Sequence, residues 1–186
     1  MNSARKVLWS VLVVAALGGL AAFGAFSAFS DTTSNPNNDF AAGTVTIGNN
    51  ATSPLYSVSN GKPGTASTDR CIKITYSGSL PATVKLYRAS LSGTLGQYLD
   101  LTVTKGSGSQ ENCSDFVAGS SVYSSTLQSF ATDWSTGLAL TNGSNSATWS
   151  NGDAVTYKFS AVIQDNNAAK GLNTGTHSFT WEARNN

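Results

Sequence analysis

The chain has 186 residues, 11% of them charged and 40% apolar, with a formal net charge of +1. That is enough apolar material for one core in one domain, and too little charge of either sign to hold nucleic acid or an anionic lipid surface through a long-range field. Eighteen glycines, four prolines and an abundance of Ser, Thr and Asn suit short strands joined by tight turns, so the composition predicts an all-β fold.

Arg5 and Lys6 precede an uncharged run over residues 7–29 that is rich in Ala, Val, Leu and Gly. Such a run is long enough to span a bilayer. Ala25 with Ser27, and Ala28 with Ser30, form the small-x-small pattern that a signal peptidase accepts, so residues 1–27 are read as a signal-peptide helix that is removed on export. The membrane is then met only through this segment before cleavage. Loss of Arg5 and Lys6 takes the formal net charge from +1 to −1.

Residues 28–39 follow as an extended arm: Ala28, Phe29, Ser30, Asp31, Thr32 and Thr33 lead into a Ser/Asn/Pro stretch that buries nothing on its own. At about 3.3 Å per residue the arm reaches roughly 40 Å. Phe29 within it and Phe40 at its end are the large apolar anchors.

The domain itself is read as residues 40–186. A first strand is expected over 40–47 and a weaker one over 55–58, followed by turns at Asn60-Gly61 and Pro63-Gly64. Over 71–77, Ile72, Ile74 and Tyr76 share one face and Cys71, Lys73 and Thr75 the other, the period-two signature of a half-buried strand. The same alternation places Val84 and Leu86 opposite Lys85 over 82–88, and Leu99, Leu101 and Val103 opposite Asp100, Thr102 and Thr104 over 99–104.

Residues 105–145 show no sustained period. Leu127, Phe130 and Trp134 have helical spacing, which predicts a short helix over 126–134 packed on the sheet. Asn142-Gly143 and Asn151-Gly152 bracket residues 147–149 as hairpin turns. The strongest strand follows, with Val155, Tyr157, Phe159, Ala161 and Ile163 inward and Thr156, Lys158 and Ser160 outward; the last, over 177–183, alternates Phe179 and Trp181 with Ser178, Thr180 and Glu182. Short strands at this spacing predict a single β-sandwich of jelly-roll or immunoglobulin-like kind. After export, the two cysteines, Cys71 and Cys113, meet an oxidising environment, and a disulfide between them is expected.

Several segments, taken in order, resemble one family. GAFSAFSDTT at 24–33 and FAAGTVTI at 40–47 are similar to the signal-peptide end and mature start of the TasA/camelysin family of secreted surface proteins. GKPG at 61–64, IKITYSGSLPATVKLY at 72–87, WSNGDAVTYKF at 149–159 and GLNTGTHSFTWEA at 171–183 resemble its P-G turn, its central strand pair and its closing strands. The resemblance implies an exported jelly-roll sandwich whose best-known relatives polymerise into extracellular matrix fibres, the N-terminal arm of one subunit completing the sheet of the next. Residues 105–140 and the cysteine pair depart from the fibre-forming pattern.

Some members of that family carry a metallo-endopeptidase label. A catalytic zinc takes about three protein ligands, and H-E-x-x-H supplies two on one helix face. This chain has one histidine, His177, expected in a strand, so no metal ligands and no catalytic residues are assigned. There is no G-x-S-x-G elbow, no carboxylate pair stands out by spacing, and Asp165-Asn166-Asn167 lacks the closing Glu of a calcium loop, so it reads as a turn. No cofactor is called for.

Trp134 and Trp149 lie near turns and are candidate exposed aromatics for a glycan- or protein-binding face, whereas Trp181 reads as core beside Phe179. Asn50, Asn112 and Asn142 each open an N-x-S/T triplet. The leading expectation is a non-enzymatic secreted subunit that self-associates into biofilm-matrix or surface fibres through the arm. The alternative is a monomeric surface binding module for glycan or protein, and a metallo-endopeptidase is the third reading.

Overall fold

The computed structural model describes residues 41–185; the leader 1–27 and the arm 28–39 lie outside the described residues. Nine strands form two antiparallel sheets, with no α-helix among the described residues. They are β1 (Ile47–Asn49), β2 (Arg70–Tyr76), β3 (Ala82–Arg88), β4 (Leu99–Ser107), β5 (Val117–Thr126), β6 (Leu138–Leu140), β7 (Thr148–Trp149), β8 (Ala154–Ile163) and β9 (Phe179–Asn185). One sheet runs β1-β2-β8-β4-β5. In the other, β3 pairs β9 along one side and β6 and β7 along the opposite side.

The alternation read in the sequence is the alternation observed. Ile72, Ile74 and Tyr76 of β2, Leu99, Leu101 and Val103 of β4, and the five inward residues of β8 are buried against Val84 and Leu86 of β3. Each fully buried side chain of this size contributes about 1.5–3 kcal/mol. The two sheets meet through aromatic rings: Phe159 of β8 lies 5.0 Å from Phe179 and 5.9 Å from Trp181 of β9, centroid to centroid. β8 holds the middle of its sheet.

Four elements differ from expectation. The first strand is confined to Ile47–Asn49; just before it, the chain follows 77–80 through Ser77 N–H to Thr46 O (2.9 Å) and Leu80 N–H to Thr44 O (3.1 Å). Residues 55–58 form no strand, because Tyr56 turns in to meet the ring of Phe179 at 6.2 Å. The helix expected over 126–134 is a single 3-10 turn, Leu127–Ser129, and Phe130 is already extended. Its carbonyls at Leu127 and Gln128 accept from the Arg88 guanidinium, at 2.9 Å each, which fastens the turn to β3. The final strand begins at Phe179, two residues beyond His177.

Asn151-Gly152 turns through Gly152 at φ 90°. At the other expected hairpin the left-handed residue is Asn145 (φ 63°), and Asn142 is buried instead. Its Oδ1 accepts from the N–H groups of Ser144 (3.0 Å) and Ser146 (2.8 Å), while its Nδ2 donates to Asp153 Oδ2 (2.9 Å). The side chain therefore plays the part that a positive-φ residue was expected to play.

Candidate functional site

The outer edges of β1 and β9 lie side by side, and among the described residues no strand pairs with either. The bonds at both ends of the β1–β2 ladder, Ser77 N–H to Thr46 O and Asn50 N–H to Lys73 O, set its phase. Gly48 therefore faces Thr75 in a hydrogen-bonded pair, and Ile47 and Asn49 aim their backbone N–H and C=O groups outward. On β9, the bond from Ala89 N–H to Ser178 O (2.8 Å) fixes the phase in the same way. Phe179, Trp181 and Ala183 thus direct their backbone groups away from β3, toward the same seam.

A cleft of about 230 Å³ runs along this seam, lined by Ile47, Ile74, Phe179 and Trp181 among others. The indole Nε1–H of Trp181 is buried beside it without a hydrogen-bond acceptor. A buried donor left unpaired costs about 1–3 kcal/mol. Trp181 does pack toward the core as its alternation predicted, but its polar atom is left over. The arm residues Ala28, Phe29, Ser30, Asp31, Thr32 and Thr33, expected as strand donors, lie outside the described residues.

Cys71 and Cys113 are bonded, with Cα atoms 5.2 Å apart. Cys71 points to the outer face of β2, so the bridge ties the loop between β4 and β5 down over that face. Cys71 N–H donates to Glu111 O (2.9 Å), and Thr156 Oγ1 donates to Gly108 O (2.5 Å), which buries Thr156. Asp115 organises the loop by accepting from Gln110 N–H and from Ser109 N–H and Oγ–H, and these bonds hold its carboxyl below the usual range. Asn50 is also committed here: Oδ1 accepts from Lys73 N–H and Nδ2 donates to Ser109 O. Of the three N-x-S/T asparagines, Asn112 is exposed, whereas Asn142 is buried and Asn50 is engaged.

The two candidate binding tryptophans separate. Trp149 is not an exposed aromatic: it is 0% exposed, and its Nε1–H donates to Leu140 O at 3.2 Å. Pairing of β7 with Ala82 and Thr83 turns the indole inward between the sheets. Trp134 is half-buried on the outer side of the second sheet, its ring 4.4 Å from the Arg184 guanidinium and 5.1 Å from Lys85 Nζ. Two cations already occupy the approaches to its π-system, so it is a poor sugar platform as it stands. Nearby, Glu182 accepts from Arg184 Nε–H and Tyr87 Oη–H at 2.6 Å each, bonds that lower its carboxyl.

The family model described as camelysin metallo-endopeptidase matches residues 3–91. Over that stretch the chain is similar to the camelysin family, in agreement with the resemblance read from its motifs. The match covers the leader, the arm, β1, β2 and β3, and ends just after β3. The family is one of cell-surface or secreted proteins. No curated protein matches the chain.

The camelysin description raises the question whether the residues present fit a catalytic metal. Among the described residues no three His, Cys, Asp or Glu side chains cluster to hold one. His177 has both ring nitrogens committed, Nε2 to Tyr56 Oη and Nδ1 to Gly175 O, and both cysteines are in the bridge. These donors do not fit a zinc site, and no catalytic step is derived from one. Other groups were missed from the sequence because nothing marks them there: the Tyr56–His177 pair, buried Arg88, and buried Lys105, whose Nζ donates to Thr141 Oγ1, Asn142 O and Asn145 Oδ1. Burial lowers the Lys105 ammonium's pKa, and no carboxylate is among those partners.

Proposed function

We propose that the chain is a non-enzymatic subunit of an extracellular fibre or matrix, assembled when the arm 28–39 of one copy adds as a strand to another. The observation that carries this reading is the seam between β1 and β9, where two unpaired strand edges converge on one cleft. An entering extended segment gains a row of backbone hydrogen bonds along either edge, and its alternate side chains reach the apolar cleft. A leader followed by a polar arm supplies such a segment immediately before β1. Export to the cell surface or matrix, with self-association as the partner mode, belongs to the same proposal.

The test compares the protein beginning at Ala28 with one beginning at Phe40, by size-exclusion chromatography and electron microscopy. The longer form is expected to give filaments or higher oligomers and the shorter to remain monomeric. Asn49→Pro in the longer form deletes an outward N–H from β1 without touching the β1–β2 ladder, and is expected to raise the concentration at which assembly begins. Identical elution of the long and short forms at every concentration rules the reading out.

A further inference from the structure

At the opposite end of the sandwich from the Asn151-Gly152 turn, a cavity of about 430 Å³ lies between the inner face of the five-stranded sheet and the loops around Tyr56 and His177. Leu99 of β4 and Ala161 and Ile163 of β8 form its floor, Leu95 one wall, and Val58 its rim. No charged side chain lines it. This size, with an apolar floor and hydroxyl-bearing walls that include Ser57, Ser67 and Thr176, is that of a small-molecule site.

The polar end of the cavity is a closed pair. Gly175 O can only accept, so His177 Nδ1 carries the proton directed at it, at 3.2 Å. In the neutral imidazole, Nε2 is then an acceptor, and Tyr56 Oη–H donates to it at 2.5 Å. Both protons of the pair are spent. What it offers to an occupant is the remaining lone-pair capacity of Tyr56 Oη. The rings are held in place by Phe179, 6.2 Å from Tyr56 and 5.8 Å from His177.

We propose that this cavity binds a small, uncharged, mainly apolar alcohol or phenol, its hydroxyl donating to Tyr56 Oη and its apolar body lying on Leu99, Ala161 and Ile163. An anion has no cation to meet here, and an ether brings no donor for Tyr56 Oη. The cavity and the seam between β1 and β9 share no lining residue, although Phe179 touches both, and ligand binding here is measured without reference to assembly.

His177 is the chain's one histidine, so its imidazole resonances report the site without ambiguity. The purified protein is titrated with 4-propylphenol, 4-propylanisole and 4-propylbenzoate, and binding is followed by NMR at the His177 ring. The phenol is expected to saturate, the anisole to bind roughly tenfold more weakly, and the benzoate not to bind. Val58→Trp at the exposed rim (46% exposed) and Ala161→Leu on the floor are each expected to weaken the phenol at least tenfold. The rim variant keeps a dispersed native spectrum, which separates a blocked site from a lost fold. Equal affinity for phenol and anisole overturns the hydroxyl assignment. A phenol titration that never saturates, or one unchanged by the rim variant, overturns the site.

Discussion

Arg88 Nε on β3 donates to the carbonyl of Leu127 at 2.9 Å, from a side chain that is 2% exposed. Its Nη2 and Nη1 donate to Gln128 O (2.9 Å) and Ala89 O (3.0 Å), and no carboxylate takes part in the cluster. One cation thus fastens the 3-10 turn after β5 to the second sheet and seats Leu127 and Phe130 in the core. Arg88→Met fills much of the volume but leaves the Gln128 carbonyl without the Arg88 donor and the Leu127 carbonyl with only the Phe130 N–H. A loss of about 2–4 kcal/mol is expected in urea unfolding, with Arg88→Lys falling between the two.

The Cys71–Cys113 bridge closes a sequence separation of 42 residues. In the chain-entropy model such a loop contributes about 4 kcal/mol. Replacing both cysteines with alanine is expected to lower stability by up to that amount in urea titration. It should also raise backbone amide exchange over 108–116 before it does so in β8, because the bridge holds that loop to β2.

Trp149 and Trp134 should respond oppositely to truncation. Trp149→Ala empties a fully buried site between the sheets and is expected to cost about 3–5 kcal/mol. Trp134→Ala removes a half-buried ring on the outer side of the sheet with its contacts to Arg184 and Lys85 and is expected to cost about 1 kcal/mol. Thermal unfolding of the two variants checks this directly. Any loss of ligand binding in Trp149→Ala would reflect the fold.

Acid should weaken the folded state. Hydrogen bonds from Arg184 and Tyr87 lower Glu182, bonds from the Gln110 and Ser109 segment lower Asp115, and bonds from Ser135 and Thr136 lower Asp133. Each group has a lower pKa folded than unfolded, so its stabilisation is complete above the unfolded range near pH ~4 and is lost as pH falls through the folded values. A urea midpoint that is flat from pH 7 to 5 and declines below 4 is expected. Glu182→Gln should flatten part of that decline.

Much of the core was legible beforehand because it lies on strands with one buried face. In β2, β4 and β8 the alternation of apolar and polar residues is the direct imprint of that asymmetry. β5 shows the converse. It is an edge strand exposed on much of both faces, with Val117 66% exposed, so no period was available to read. Leu127, Phe130 and Trp134 had helical spacing by coincidence: the first two are buried by Arg88 and by the rings of Tyr123 and Phe179, and the third sits outside among cations. The Tyr56–His177 pair spans 121 positions and left no local trace.

The amino-acid sequence by itself determined the all-β class, the inward and outward faces of the central strands, and the availability of two cysteines for one bridge. These follow from local alternation and composition, which act within a few residues. Tertiary structure alone decided that Trp149 is core, that Asn142 is a buried turn organiser, and that the edges of β1 and β9 meet at a seam with an unpaired Trp181 N–H. Each of those depends on which strands from distant parts of the chain become neighbours, and pairing between remote segments is settled by burial of the whole molecule.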